Sequence, residues 1–238
     1  MPLILKNRNP NLIEWMDRED CDKELLFNTY HQFERINKLL SGWDKIYKHY
    51  IKPIILKKDS NSEKPFTILD IGCGGGDIIR YLNTLCRKDG FIVHFTGIDP
   101  DTRAQEFIDQ NIQPDNVQFF PIHSGELVKK NREFDVVISN HLIHHLSSDQ
   151  LTDICHDAAA LAKTGVIFSD IERSDLGYFA FQAFAPLLFR NSYIVPDGLT
   201  SIKKSYRKDE LMKQLPSGWT VERKFPFRLL ALYNRESL

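Results

Sequence analysis

Along residues 66–170, short continuous apolar runs are separated by longer segments in which apolar residues recur with the period of a helix. Short runs that are apolar at nearly every position predict strands buried on both faces, at 66–71, 91–98, 117–121, 134–139 and 165–170. Between these runs, amphipathic segments predict helices over 75–88, 102–111 and 148–162. Strands that alternate with helices in this way predict an α/β fold with a doubly wound, mostly parallel sheet.

The flanking residues follow other patterns. The first 60 residues lack strand signals and predict a helical N-terminal cap or lid, with one helix over 23–40 and a second from 43 to 51, before Pro53. A polar stretch over 57–65 predicts a surface loop. After residue 170 we expect an aromatic-rich segment (176–189), a polar loop around 196–198, a helix over 207–215 and paired strands at 219–225 and 228–233. The expected organisation is therefore a cap over 1–60 and a core over 61–238 with a substrate-pocket insert at 171–205.

The most informative segment joins the first strand to the first helix of the core. Its sequence from Asp70 to Asp77 is Asp-Ile-Gly-Cys-Gly-Gly-Gly-Asp, in which three glycines allow a tight turn and a close approach of backbone to a ligand. The helix that begins near Gly75 presents its unpaired N–H groups to the same place. The second strand ends at Asp99, from which a carboxylate can bind the hydroxyl groups of a ribose. The segment therefore predicts a ligand that contains adenosine.

A dinucleotide is one candidate ligand, and two acidic residues argue against it. A dinucleotide-binding loop has the pattern G-x-G-x-x-G, whereas the sixth position counted from Gly72 is Asp77. Asp70 would repel a pyrophosphate and attract a cationic group. The chain also lacks a Tyr-x-x-x-Lys pair, since Tyr206 is followed by Glu210. An NAD(P)-dependent oxidoreductase remains the first alternative.

The glycine loop resembles motif I of the class I S-adenosylmethionine (SAM)-dependent methyltransferases, an acid followed by x-Gly-x-Gly-x-Gly. The resemblance implies a Rossmann-like, seven-stranded, mostly parallel sheet whose last strand is antiparallel. It also implies SAM as cofactor and S-adenosylhomocysteine (SAH) as product. The acid that this family usually places after the third strand, to bind adenine, is absent here. The cofactor-binding residues that the resemblance suggests are Asp70, Gly72, Cys73, Gly74, Gly76, Asp99, Pro100, His123, Ser124 and Asn140.

A second resemblance lies at the end of the fourth predicted strand. Residues 134–146 have the sequence Phe-Asp-Val-Val-Ile-Ser-Asn-His-Leu-Ile-His-His-Leu, which is similar to small-molecule methyltransferases of the ubiquinone and menaquinone type. The segment lacks the Asn-Pro-Pro motif that positions amino groups in DNA methyltransferases. A neutral imidazole of His144 or His145 could take a proton from a phenol or enol. Two alternatives stay open, histidines that only pack and a metal site that includes His141, and we predict no metal.

Aromatic and basic residues cluster on both sides of the predicted core, and ordinary packing can explain them. Alternatively, they bind a flat, apolar acceptor and exclude water from it. Residues 176–189 could also touch a membrane, although Pro186 and the short length argue against stable insertion. The predicted acceptor-binding residues are Tyr30, Arg35, Arg173, Tyr178 and Phe181.

Composition narrows the function classes further. The chain has 238 residues and a formal net charge of −1, which provides no global field to attract nucleic acid. Its four cysteines form no Cys-x-x-Cys pair, and the N-terminus lacks the apolar run of a signal peptide. We expect a cytoplasmic protein, monomeric or homodimeric, with a small-molecule acceptor and no nucleic-acid partner.

These observations together predict methyl transfer from SAM to an oxygen atom of a small apolar acceptor, aromatic or polyketide-like, with carbon as the second choice of atom. The alternatives are the NAD(P)-dependent oxidoreductase, a non-catalytic SAM-binding module and an RNA methyltransferase. The near-neutral net charge disfavours the last of these.

Overall fold

The computed structural model describes residues 3–59 and 64–235, which contain one seven-stranded sheet. The strands are β1 (Phe66–Ile71), β2 (Val93–Ile98), β3 (Val117–Phe120), β4 (Phe134–Asn140), β5 (Ala162–Ile171), β6 (Trp219–Lys224) and β7 (Arg228–Asn234). They lie in the order β3-β2-β1-β4-β5-β7-β6, and β7 is antiparallel to both of its neighbours. The predicted fold class, including the antiparallel last strand, is confirmed.

Ten α-helices occur among the described residues. They are α1 (Lys23–Leu40), α2 (Trp43–Ile46), α3 (Lys52–Asp59), α4 (Asp77–Lys88), α5 (Thr102–Asp109), α6 (Ser124–Lys129), α7 (Ser148–Leu161), α8 (Asp175–Leu188), α9 (Ile194–Lys204) and α10 (Lys208–Gln214). A π-helical segment, Tyr47–Ile51, joins α2 to α3.

Two apolar clusters cover the two faces of the sheet. Successive residues of a strand point to opposite faces, so Ile68 belongs to one cluster and Leu69 to the other, and Val136 and Val137 divide in the same way. All four are fully buried. Burial of both faces is the physical reason that these strands are continuously apolar in sequence.

The order of the strands positions the functional site. β1 lies between β2 and β4. The chain therefore leaves β1 toward β2 on one side and later returns, so that β4 pairs with the other edge of β1. The loops that follow β1 and β4 therefore separate and leave a crevice at the carboxyl ends of these strands.

The helical N-terminal region agrees with the predicted pattern in its first helix and differs in its second. α1 spans 23–40, and the carboxylate of Asp22 accepts the N–H of Leu25 at 2.9 Å as its N-terminal cap. The second helical stretch does not end before Pro53 but continues to Asp59, because Pro53 follows the π-helical segment as the second residue of α3, where a missing N–H is tolerated. The loop predicted from residue 57 is therefore wrong for 57–59, while residues 60–63 and the 60/61 boundary lie outside the described residues.

The insert after β5 is helical, and the polar loop predicted around 196–198 is wrong. Pro196 lies in the first turn of α9, where the missing N–H is tolerated. Gly198 serves close packing of α9 on α8, since a Cβ at this position would lie 2.5 Å from Cε1 of Phe181. The aromatic-rich segment forms α8, and α6 was not predicted.

Candidate active site

A cavity of about 980 Å³ lies at the carboxyl ends of β1 and β4. One end is formed by the glycine loop, with Gly72, Gly74 and Asp99 in its wall. The other end is apolar and includes Phe181 and Phe184 of α8. A single cavity thus joins the loop that follows β1 to the insert, at the place where open α/β sheets bind their ligands.

The glycine loop is held in place by Asp99. The N–H of Gly74 donates to Oδ2 of Asp99 at 2.8 Å, and the N–H of Asp101 donates to Oδ1 at 2.9 Å. Burial raises the pKa of Asp99, although these two N–H donors act in the opposite direction. Gly76 has a φ of 77°, and a Cβ there would lie 2.6 Å from Cζ of Phe119. The loop therefore requires glycine at position 76 for both backbone and space.

Asp70 is a buried carboxylate without a partner. Its side chain lines the cavity, the residue is 1% exposed, and neither carboxylate oxygen has a hydrogen-bond donor among the described residues. Burial raises its pKa well above the ordinary value, and Asp77 and Asp99 add to this effect. An unpaired buried carboxylate is costly, and a cationic ligand group would compensate it. The ammonium group of SAM fits this requirement.

His144 lies between two carboxylates. Its Nδ1 is 2.7 Å from Oδ1 of Asp170, and its Nε2 is 3.4 Å from Oε1 of Glu14. Burial by itself lowers the pKa of His144, but the two carboxylates outweigh burial and raise the pKa to about 9. The side chain is therefore an imidazolium at neutral pH. Both nitrogen atoms face negative charge, which favours the protonated form, and a role of His144 as a neutral base stays a prediction.

Glu14 connects His144 to a second cation, Lys204. The ammonium nitrogen of Lys204 is 3.2 Å from Oε1 of Glu14 and 3.2 Å from Nδ1 of His145. Burial raises the pKa of Glu14, but His144, His145 and Lys204 together lower it to about 2. The ligand atoms of Glu14, His144 and His145 lie within 4.8 Å of one another, which is close enough for a metal ion. The Lys204 ammonium already supplies a positive charge at this point, and the absence of a metal stays a prediction.

A third polar group surrounds Arg228, the first residue of β7. Its guanidinium donates to Nε2 of His141 at 2.6 Å, to Oδ1 of Asn140 at 2.7 Å and to Oγ of Ser169 at 2.7 Å. His141 directly follows β4 and has a φ of 61°, a conformation that residues other than glycine seldom adopt. Such strain often accompanies a functional position.

Residues 8–17, which we call the N-terminal strap, lie along the cavity and carry Glu14. The carboxylate of Asp197 in α9 accepts the N–H groups of Trp15 at 2.7 Å and Met16 at 3.0 Å. The guanidinium of Arg8 donates to the carbonyl oxygen of His144 at 3.0 Å. Hydrogen bonds to α9 and to the segment after β4 therefore fix the strap over the site.

Eleven of the predicted site residues line this cavity, and six do not. His123 is exposed, and the hydroxyl of Ser124 donates to Asp157 at 2.6 Å, so the structure does not bring this pair to the cavity. Gly76 shapes the loop without lining the cavity. The predicted residues that do line it are Tyr30, Asp70, Gly72, Cys73, Gly74, Asp99, Pro100, Asn140, His144, His145 and Phe181.

Three predicted acceptor-binding residues lie elsewhere. Arg173 is a correction, since its buried guanidinium donates to the carbonyl oxygen of Ser205 and to Glu210 and supports the chain between α9 and α10. Arg35 is exposed on α1, and the ring of Tyr178 faces Lys203 at 5.2 Å. These three side chains lie at the surface or support the chain, and none of them lines the cavity.

Sequence reasoning missed the residues that complete the acceptor end. Asp170 lies near the carboxyl end of β5, and an acid in that position is a signal that could have been used. Glu14, Asp197 and Arg228 carry no local signal, because each reaches the site only through contacts with distant parts of the chain.

Several curated proteins are similar to this chain. The ubiquinone biosynthesis O-methyltransferase of Pelagibacter ubique is 28% identical over 137 residues, which cover 55% of this chain and 54% of that protein. The enzyme of the same name from Coxiella burnetii is 27% identical over 183 residues, covering 71% of this chain and 70% of that protein. The match to the Pelagibacter protein thus spans about half of its length.

A solved structure shows the same fold. The plantazolicin methyltransferase BpumL, in complex with a pentazolic desmethylPZN analog and SAH, superposes with a TM-score of 0.55 at 12% sequence identity. The superposition covers 90% of this chain and 96% of BpumL.

The family comparison covers most of the chain. A family model described as a methyltransferase domain (Methyltransf_23) matches residues 43–238, which include the sheet, the glycine loop and the insert. The match confirms the predicted methyltransferase family and SAM as its cofactor. With its glycine loop, its antiparallel last strand and a match over residues 43–238, the chain belongs to the methyltransferase domain family.

Proposed function

We propose that this protein transfers the methyl group of SAM to an oxygen atom of a small, largely apolar acceptor of aromatic or polyketide-like type. The curated relatives are named as O-methyltransferases of ubiquinone biosynthesis, which supports oxygen over carbon as the methylated atom.

The continuous cavity is the observation that carries this proposal. Its volume of about 980 Å³ is at the upper end of the range for small-molecule sites, about 300–1,000 Å³. A cavity of this size has room for a cofactor at the glycine loop and an acceptor beside it. The apolar wall of Phe181, Phe184 and Leu188 suits an acceptor that is mainly hydrophobic.

The residues at the loop suit the polar parts of SAM. Asp70 offers an unpaired carboxylate to the ammonium group, and Asp99 offers its carboxylate to the ribose hydroxyls. The first turn of α4 follows Gly76, so its free N–H groups face the loop. The cofactor would supply an electrophilic methyl group to an acceptor bound in the same cavity.

The N-terminal region and the insert enclose the acceptor in this proposal. Residues 1–60 act as a lid and residues 171–205 as the acceptor pocket, attached to the core domain. The strap supports this role, because Asp197 of α9 binds two of its N–H groups and Glu14 reaches the imidazolium of His144. Closing these segments would exclude water from the reacting atoms.

Location and assembly stay predictions. None of the helices in residues 3–59 and 64–235 combines the length and the apolar character that spanning a bilayer requires. The predictions of a cytoplasmic protein, of a monomer or homodimer and of no nucleic-acid partner require measurement.

The test has a binding step and a product step. Thermal unfolding with SAM, SAH, NAD or NADP, each at about one hundred times its dissociation constant, should show a stabilisation of about 2.7 kcal/mol for SAM and SAH alone. That stabilisation corresponds to a rise of about 5–11 °C in Tm at this chain length. Mass spectrometry of reactions with a panel of phenols, enols and carboxylic acids should then detect an O-methylated product.

The outcomes separate the alternatives. A Tm shift with NAD or NADP alone would contradict the proposal and support an oxidoreductase. Binding of SAM with no product from the whole panel would support a non-catalytic SAM-binding module. Methylation at carbon would contradict only the choice of oxygen as the methylated atom and would leave the methyltransferase activity standing.

A further inference from the structure

Arg228 is a buried cation whose side chain contacts no carboxylate in the described parts of the chain. The residue is 4% exposed, and its hydrogen-bond partners His141, Asn140 and Ser169 are all uncharged acceptors. Burial lowers the pKa of Arg228 to about 10, although the negative charge of Asp170 acts in the opposite direction, and the guanidinium stays charged at neutral pH. A buried cation with no carboxylate in direct contact is costly, so its retention in a cavity wall points to a ligand that carries the opposite charge.

His141 adds a neutral donor beside this charge. Burial, and then the neighbouring Arg228, lower the pKa of His141 well below its ordinary value, so the ring is uncharged. Its Nε2 accepts a hydrogen bond from the guanidinium, which places the ring proton on Nδ1. Nδ1 has no acceptor among the described residues, and His141 lines the cavity.

Three carboxylates at this end of the cavity are already paired with cations. Asp170 binds the imidazolium of His144 at 2.7 Å, and Glu14 lies between that ring and the ammonium group of Lys204. Glu172, which also lines the cavity, pairs with Arg223 at 2.6 Å. Among the described residues, Arg228 is therefore the buried cation of the acceptor end that has no carboxylate in direct contact.

We propose that Arg228 and His141 bind the acceptor through an anionic oxygen, so that the acceptor is an apolar molecule with an acidic hydroxyl or carboxyl group. This inference rests on the proposed function and adds the chemical class of its acceptor. An acceptor that binds in its ionised form has no proton to lose during methylation. The site then needs no neutral base, in agreement with the protonated state of His144.

The test uses 4-nitrophenol, whose phenolate absorbs visible light, titrated against pH in the presence of protein and SAH. The wild-type protein should lower the apparent pKa of the bound phenol by about one unit, which corresponds to a tenfold preference for the anion. R228Q should abolish this shift, because glutamine keeps hydrogen-bonding groups and loses the charge. H141N should reduce the shift, and asparagine tolerates the left-handed backbone conformation at this position.

Three controls keep the result interpretable. R87Q removes an exposed arginine from the last turn of α4, outside the cavity, and should leave the phenol shift unchanged. R228K keeps the charge and should retain part of the shift even if the loss of the guanidinium hydrogen bonds destabilises the fold. Competition by 4-nitrobenzoate distinguishes a site that also accepts carboxylates from a site for acidic hydroxyl groups alone. Either result supports binding of an anionic oxygen by Arg228 and His141.

Failure of this inference can be distinguished from failure of the proposed function. Equal binding of 4-nitrophenol and its neutral methyl ether, 4-nitroanisole, would overturn the inference, as would absence of binding or an unchanged shift in R228Q. If SAH stabilises the same samples, these results leave the proposed function standing. If SAH does not bind, the proposed function fails whatever the dye shows.

Discussion

The two ends of the cavity are built in different ways. At the cofactor end, the hydrogen bond that fixes the glycine loop joins Gly74 to Asp99, 25 residues apart. At the acceptor end, the bond that holds the strap joins Trp15 to Asp197, 182 residues apart. One βα unit therefore suffices to form the first end, whereas the second forms only when the N-terminus, the insert and β7 have all packed together.

The two ends also differ in charge. The cofactor end contains buried acids, and the described part of the chain places no cation beside Asp70. The acceptor end contains the buried cations His144 and Arg228. A cationic cofactor at one end and an anionic acceptor oxygen at the other would complete both sets of charges. The cavity is thus polarised in the direction that methyl transfer from a sulfonium to an oxygen requires.

Asp99→Ala should break the cofactor end and leave the acceptor end intact. The substitution removes the carboxylate expected to bind two ribose hydroxyls and frees the N–H of Gly74, so SAH affinity should fall about 100-fold or more. Isothermal titration calorimetry measures the change, with the exposed Asp109→Ala as the matched control. Affinity within threefold of wild type would contradict the assignment of Asp99.

Gly76→Ala should show how strictly the loop depends on glycine. The new Cβ would lie 2.6 Å from Phe119 at a φ of 77°, so we expect a loss of about 2 kcal/mol in unfolding free energy. The fall in Tm would be about 4–8 °C. Gly90→Ala is the matched control, because Gly90 has a φ of 80° with nothing within 4 Å of an added Cβ. Equal losses in the two variants would show that backbone strain, and not crowding by Phe119, sets the requirement.

The pH dependence of stability should sharpen the electrostatic side of the comparison. The pKa of His144 is about 9 in the folded chain against an ordinary value of 6.5, so its stabilising contribution is complete below pH 6.5 and is lost as pH rises through 9. Between these values the unfolding free energy of the wild type should fall by about 2–3 kcal/mol. Chemical denaturation at several pH values should show this slope in the exposed control His94→Gln and a flatter curve in His144→Gln. A flat wild-type curve would contradict the imidazolium.

Asp197→Ala should loosen the acceptor end with the smallest effect of the four. Burial raises the pKa of Asp197 to about 6, so the comparison belongs at pH 8, where the carboxylate is ionised and binds the strap. The dissociation constant of 4-nitrophenol should rise about threefold to tenfold, and that of SAH should not change. Asp153→Ala, an exposed change on α7, is the control. A parallel loss of SAH affinity would show that the strap serves both ends equally.

The sequence by itself determined the sheet and the cofactor end. The continuous apolar runs predicted β1 at its observed bounds, 66–71, because a strand buried on both faces has to be apolar at nearly every position. The glycine loop and Asp99 could be found for a similar reason. A tight turn beside a ligand requires glycine, and the residues that form it are neighbours along the chain or one βα unit apart.

Only the tertiary structure decided the acceptor end. Glu14 and Arg228 are ordinary charged residues in the sequence, and their roles arise from burial next to His144 and His141. The same packing raised the pKa of His144 and turned Arg173, a predicted acceptor-binding residue, into a support for the chain. Desolvation and the approach of charges distant in sequence set these properties, and a linear pattern of residues contains neither.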